Sequence, residues 1–262
     1  MKSLRLTVLG SGTSMGVPTL GCSCRVCRSD DPRDRRTRSS VLLSAGGRNV
    51  VIDTSPDFRA QALREGVDRL DGVVYTHGHA DHILGLDDIR PFNLKQKSEI
   101  PLYGSPDTLA TLQRTFAYIF NPNAYSSLPL VRLATIDGPF DPFGLPEEKF
   151  ELVPVPARHG PLGVLGFRLG PFAYLTDFSA VPEESMPLLA GLDVLILDAL
   201  RHMPHPMHST VEQSLGLVEK LRPRRAWFTH IAHELSHKET DQTLPEHVRL
   251  AYDGLQFEVP LP

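Results

Sequence analysis

The sequence predicts a single α/β domain in which one edge of the strands carries the chemistry. Three observations lead there. Strand-like and helix-like segments alternate along 262 residues with no internal repeat and no linker. Hydrophobic residues make up 41% of the chain and charged residues 22%, the balance of a globular protein with a sizeable core. Histidines and aspartates recur where strand signals stop, and in a layered α/β fold those ends line up along one edge.

Residues 1–9 alternate polar and apolar side chains as a strand does. They lack the continuous apolar stretch of a signal peptide, and no apolar run reaches transmembrane length, so a cytoplasmic protein with no membrane partner is expected. A glycine-rich loop, residues 10–18, comes next. It has neither a P-loop lysine nor dinucleotide-binding glycine spacing and is read as a structural turn. Residues 25–38 hold six arginines and three aspartates, read as a solvated loop of local ion pairs. One or two of these arginines could reach a cleft, where a guanidinium suits a phosphate. Residues 41–43 and 49–52 flank Gly46-Gly47 as a hairpin that ends at Asp53, and a helix is expected from there to residue 65.

A short buried strand over residues 70–75 leads into Thr76-His77-Gly78-His79-Ala80-Asp81-His82, and a helix is expected over 83–92. Imidazole with carboxylate is a ligand set that zinc and manganese accept. His77 and His79 alternate and so face one way. Asp81 and His82 begin a second direction, which points to two neighbouring metal sites.

Strand and helix signals continue at residues 102–103, 106–119 and 130–133, followed by a Pro- and Gly-rich loop at 137–144. A strand over 150–155 leads to His159. A hairpin of 165–169 and 172–175 ends at Asp177. A buried strand spans 193–198, and one over 225–228 runs into His230.

Between those last strands lie His202, His205 and His208. The first two are assigned to a flexible surface loop. Ser209 and Glu212 have capping-box spacing, and Val211, Leu215 and Val218 give the following helix its apolar stripe. His208 therefore sits just before a helix N-terminus, which favours anions and keeps a free histidine neutral until a phosphate binds.

All three cysteines, Cys22, Cys24 and Cys27, fall within six residues, a poor disulfide framework and a plausible metal set. Three thiolates lack one ligand of a tetrahedral zinc site. His233 is the preferred fourth, three residues beyond His230, and His237 the alternative. A net charge of -4 gives no general basic field for nucleic acid.

The run His77 to His82 resembles the HxHxDH signature of the metallo-β-lactamase superfamily of binuclear hydrolases. The resemblance implies a four-layer αββα sandwich formed by residues 1–262 as one hydrolase domain. It also implies two divalent metals, zinc or manganese. His77, His79 and His159 would hold one, Asp81, His82 and His230 the other, and Asp177 would bridge. Asp53 would hydrogen-bond the metal loop from behind. Redox di-iron members carry glutamate where this chain has His79, so hydrolysis is implied.

Gly21-Cys22-Ser23-Cys24-Arg25-Val26-Cys27 with His230 and His233 resembles the PhnP-type phosphodiesterases of that superfamily. This implies a cysteine-rich loop at 21–28 holding one structural zinc, and a general acid at His208. The implied substrate is a small phosphorylated molecule, a cyclic phosphodiester resembling 5-phosphoribosyl 1,2-cyclic phosphate. Nucleic acid is not the expected partner, and a homodimer is left open. Two rival readings each share part of this pattern, the first the metal ligands and the second the cysteine cluster. One is a tRNA 3′-processing endonuclease, the other a noncatalytic zinc-binding protein of a cofactor-synthesis pathway.

Overall fold

Alternation along the strands sorts apolar side chains onto two faces, and that sorting builds the layers. In β1 (Ser3–Gly10), Leu4, Leu6 and Val8 enter one buried cluster while Leu9 enters another. The structure is a computed structural model that describes residues 3–121 and 128–261. Met1 and Lys2 of the expected first strand, and Pro262, lie outside the described residues.

The first sheet continues with β2 (Ser40–Ala45), β3 (Arg48–Ile52), β4 (Gly72–Val74), β5 (Ile100–Gly104) and β6 (Val131–Thr135). It is antiparallel from β1 to β3 and parallel from β3 to β6. The second sheet comprises β7 (Leu152–His159), β8 (Leu162–Leu169), β9 (Phe172–Leu175), β10 (Val194–Asp198), β11 (Arg225–Thr229) and β12 (Val248–Leu250). Its strands are antiparallel up to β9 and parallel from β9 to β12. A last strand, β13 (Gln256–Pro260), returns to flank β1 in the first sheet.

Leu43 and Ile52 of the first sheet share one core with Phe172, Tyr174 and Ile196 of the second. Their strand neighbours face outward. Val51 and Leu42 pack on α1 (Phe58–Arg64), α2 (Ala80–Ile83) and, beyond α3 (Arg90–Gln96), α4 (Pro106–Thr115) through Phe58, Ile83, Leu109 and Leu112. On the other side Leu195 and Leu197 meet Val211 and Val218 of α5 (Val211–Leu221), with α6 (His237–Thr243) alongside β12. The order helix, sheet, sheet, helix is the expected four-layer sandwich. Each core leucine or phenylalanine contributes on the order of 1.5–3 kcal/mol by leaving water.

Several expected elements differ in detail. The helix expected over 83–92 is broken into α2, a short 3-10 turn at Leu86–Ile89, and α3. Gly85 is the break, because its N–H donates to the Thr54 carbonyl at 2.9 Å and a Cβ there would run into the Ser55 carbonyl. The helix expected over 106–119 stops at Thr115, where Phe116 turns into the outer core. The helix expected from Asp53 starts at Phe58.

The arginine-rich segment is not simply solvated. Arg36 is fully buried, pairs with Asp34 at 2.8 Å and donates to the Ala232 and Leu235 carbonyls at 3.1 and 2.8 Å. Burial lowers its pKa to about 10, yet it stays charged at neutral pH. Arg36 thereby fixes the N-terminal loop against the segment after β11. The glycine-rich loop is a structural turn here, with Gly12 pairing to Arg38 on one side and Ile231 on the other. Among the described residues no helix is long and apolar enough to cross a membrane.

Candidate active site

Strand ends place the site. Asp53 follows β3, His159 ends β7, Asp177 follows β9, Asp198 ends β10 and His230 follows β11. Asp53, Asp177 and His230 adopt left-handed φ angles of 63°, 54° and 57°. That costs roughly 1–2 kcal/mol per non-glycine residue and is held in place by the surrounding contacts.

His77, His79 and His159 bring one nitrogen each to within 4.8 Å of one another, and Asp81, His82, Asp177 and His230 form a second such set. The Nε2 atoms of His82 and His230 each lie 3.2 Å from an Asp177 oxygen, on different oxygens of that carboxylate. Asp177 also falls within a set with His159 and His208, so it stands between the two metal-type clusters. All seven residues expected to ligate are thus brought together.

The donors fit divalent cations. Nε2 of His77 and Nδ1 of His230 are buried without a hydrogen-bond partner among the described residues, and Nε2 of His82 and of His230 face the Asp81 and Asp177 carboxylates. Buried polar atoms rarely go unsatisfied, and imidazole with carboxylate is the donor set such ions take.

The surrounding hydrogen bonds orient these donors. Asp53 accepts from the Thr76 N–H and hydroxyl, both at 2.8 Å, and faces His82 Nδ1 at 2.7 Å. The expected anchoring contact is there, and it directs His82 Nε2 toward Asp177. His159 Nδ1 is 2.7 Å from the Met207 carbonyl, which leaves its Nε2 free for the cluster.

Electrostatics divides the two sets. Burial pushes His77 well below its ordinary pKa and lowers His159 to about 4. Burial also opposes charge on His82 and His230, but the carboxylates, Asp177 foremost, outweigh it and raise His82 well above its ordinary value and His230 to about 9. Asp177 is held well below the carboxylate range, with His230 and His82 overcoming its own burial. Free of cations, the second cluster neutralises itself with protons.

His208 lies beside both clusters, its ring centroid 4.6 Å from His159 and 4.6 Å from His230. Its Nδ1 is 2.8 Å from Asp198 Oδ2. Sequence reasoning passed over Asp198. The signal was available, since Asp198 ends a buried strand as the other site carboxylates do.

The expected capping box is displaced by one residue. Thr210 caps α5 with Gln213, while Ser209 is buried and accepts from Ser214 instead. His208 is therefore governed by a carboxylate and not by the helix end. His202 is exposed and pairs with Glu212 at 2.6 Å, as a surface residue would. His205 differs from expectation: it is half-buried, 5.0 Å from the His208 ring, and accepts from the Met207 N–H at 3.2 Å.

Cys22, Cys24, Cys27 and His233 form a third set within 4.8 Å, with His233 Nδ1 3.4 and 3.3 Å from the first two sulfurs. A hydrogen bond from the Cys27 N–H lowers Cys24 to about 6, whereas burial raises Cys27 to about 11. The alternative ligand, His237, sits in α6 against Asp241 at 3.4 Å and is not in this set.

Comparison with known proteins agrees with this geometry. Residues 48–231 match the profile of the β-lactamase superfamily domain. A crystal structure described as a new diphosphatase from the PhnP family is 50% identical, covers 98% of each chain and superposes with a TM-score of 0.91. An octanoyltransferase of Porphyromonas gingivalis is 38% identical over 256 residues, which are 97% of this chain and 51% of that one. Coenzyme PQQ synthesis protein B of Rhodopseudomonas palustris is 36% identical over 152 residues, 53% of this chain and 47% of that one. The chain spans about half the length of these curated relatives.

Proposed function

The chain belongs to the metallo-β-lactamase superfamily, and from that premise we propose that it is a metal-dependent hydrolase that cleaves a small phosphorylated substrate at phosphorus. The observation that carries the reading is His208, a mostly buried imidazole set against both metal-type clusters and held by Asp198. A diester whose leaving group is a sugar alkoxide needs a proton at that oxygen, and His208 is placed to give one. The preferred substrate class is a cyclic phosphodiester resembling 5-phosphoribosyl 1,2-cyclic phosphate. A diphosphate bond is the second reading, favoured by the 50%-identical relative described as a diphosphatase.

The residues divide the work. His77, His79 and His159 would hold one divalent cation and Asp81, His82 and His230 the other, with Asp177 between the two sets, the ions being zinc or manganese. Cations bound there supply Lewis acidity toward the phosphoryl oxygens and bring the pKa of water near ~7. Asp53 and the Met207 carbonyl keep His82 and His159 in the ligating tautomer. Asp198 accepts from Nδ1 of His208, which presents Nε2 to the leaving oxygen. Cys22, Cys24, Cys27 and His233 take one structural zinc in the 21–28 loop.

The deciding experiment is a substrate panel run with zinc and then manganese. It contains cyclic ribose phosphates, cyclic nucleotides, linear diesters, organic diphosphates, precursor tRNA and a thioester. Turnover of a cyclic diester or a diphosphate is expected. Hydrolysis of the thioester alone, or of precursor tRNA alone, would overturn the reading.

A further inference from the structure

Residues 201–208 lead up to His208, and one residue, Met207, ties this loop down through both of its backbone groups. The Met207 carbonyl orients His159, while the Met207 N–H donates to His205 Nδ1. The loop ends are also closed, with Leu200 N–H to the Ser209 carbonyl at 3.0 Å and Val211 N–H to the Arg201 carbonyl at 3.1 Å. Arg201 further pairs with Glu234, next to His233, at 3.0 Å.

From His230, after β11, through this loop the imidazoles form a series running outward. His230 is buried and stacks on His208 at an interplanar angle of 15°, His208 is largely buried, and His205 beside it reaches solvent. The series connects the metal-type clusters to the mouth of the site.

The Met207 contact also settles which His205 nitrogen carries the proton. A nitrogen that accepts from a backbone N–H has none, so neutral His205 bears its proton on Nε2, the ring edge away from its own backbone. Burial keeps His205 below its ordinary pKa, with the neighbouring His208 and Arg201 acting the same way, so the neutral donor form dominates near pH 7.

We propose that His205 is a substrate-binding residue, donating its Nε2–H to a phosphoryl oxygen of a substrate bound against His208. This rests on the reading that the substrate reacts at phosphorus. It assigns a second donor at the same anion, one turn of the loop outside the proton donor.

Two substitutions separate this role from a purely structural one. In His205→Asn the amide oxygen takes the place of Nδ1, so the Met207 N–H stays satisfied while the outward donor is lost. In His205→Gln the amide nitrogen takes the place of Nε2, so the donor is kept and the Met207 contact is lost. The measurement is calorimetric titration of inorganic phosphate into the metal-loaded full chain, with metal content and melting temperature recorded for each variant.

A hydrogen bond to a charged oxygen predicts roughly 10-fold or more weaker phosphate binding in His205→Asn and near-native binding in His205→Gln. The reverse order, with Gln impaired and Asn native, would make His205 a loop brace only. Native affinity in both variants, or no phosphate binding by the native chain, would also overturn the proposal. Because the readout is binding, a chain that turns over no phosphate ester and yet shows the predicted order would sink the hydrolytic reading and leave the His205 assignment standing.

Discussion

Asp198 Oδ2 stands 2.8 Å from His208 Nδ1 at the end of β10, and the pair sits beside both metal-type clusters. The carboxylate is fully buried, and burial raises its pKa against the pull of His208 and His230. Its hydrogen bond fixes Nδ1 as the donor to Asp198, which leaves Nε2 as the nitrogen not engaged by that carboxylate.

Substitution of His208 by alanine should therefore leave both active-site cations bound. Activity on a substrate with an alkoxide leaving group should fall about 10²- to 10⁴-fold, the usual range for a lost general acid. A p-nitrophenyl ester, whose leaving group needs no proton, should lose far less. Steady-state kinetics on the two substrates checks this, and equal losses would remove His208 from the acid role. Asp198→Asn should move the two substrates in the same unequal way.

Cation loading should release protons. In the cation-free chain His230 titrates near 9 and His82 also lies above its ordinary value, whereas a metal needs both as neutral imidazoles. A histidine whose folded pKa is raised stabilises the fold fully below about 6.5 and loses that contribution as pH rises through the folded value. The metal-free chain should accordingly melt at lower temperature as pH goes from about 6.5 to about 9. Metal affinity should rise over the same window. Calorimetry in buffers of different ionisation enthalpy reads the released protons directly.

The cysteine set predicts its own stoichiometry. The native chain should hold roughly three metals, and Cys24→Ser should hold about one fewer. Metal analysis by mass spectrometry gives the count. Because the loop is also tied by Arg36 to the Ala232 and Leu235 carbonyls, the variant should keep its fold at a reduced melting temperature. An unchanged metal count would refute the assignment.

Gly85→Ala should destabilise the chain by about 1–3 kcal/mol, the range for overpacking. The added methyl would meet the Ser55 carbonyl and Phe58 Cβ, and a backbone oxygen cannot rotate aside as a side chain can. The shift would pass into α2, which carries Asp81 and His82, so weaker metal binding should accompany the lower urea midpoint.

Much of the site was legible because its residues are marked twice, by type and by position. His77, His79, Asp81 and His82 fall within six residues, a density that ordinary packing does not require. His159, Asp177 and His230 carry a weaker signal, a ligand-type residue at a strand end, and Asp198 carries the same signal, whereas the role of Asp53 is implied by the family resemblance. What concealed Asp198 is that no metal motif includes it. Its partner, His208, is ten residues away across an irregular loop whose path no periodicity describes.

Local cues erred where other groups brought near by the fold competed for the same side chains. Ser209 and Glu212 have the spacing of a capping box, but Ser209 is drawn inward to Ser214 and the cap passes to Thr210. Arg36 reads as one of six solvated arginines, and only the approach of residues 232–235 makes it a buried clamp. His205 reads as surface, whereas the fold sets its ring 5.0 Å from His208 with Nδ1 accepting from the Met207 N–H.

By itself the sequence determined the alternating strands, the His77–His82 run and the cysteine cluster, because side-chain period and ligand spacing are local properties of the chain, while the two full ligand sets were implied by the family resemblance. Tertiary structure alone decided how these parts meet. Asp177 lies between the metal-type clusters, His233 closes the cysteine set, and Asp198 and Met207 orient His208 and His159. Those relations join residues from both sheets and from loops far apart in the chain. Their distances are set by how two twisted sheets pack, which no local pattern encodes.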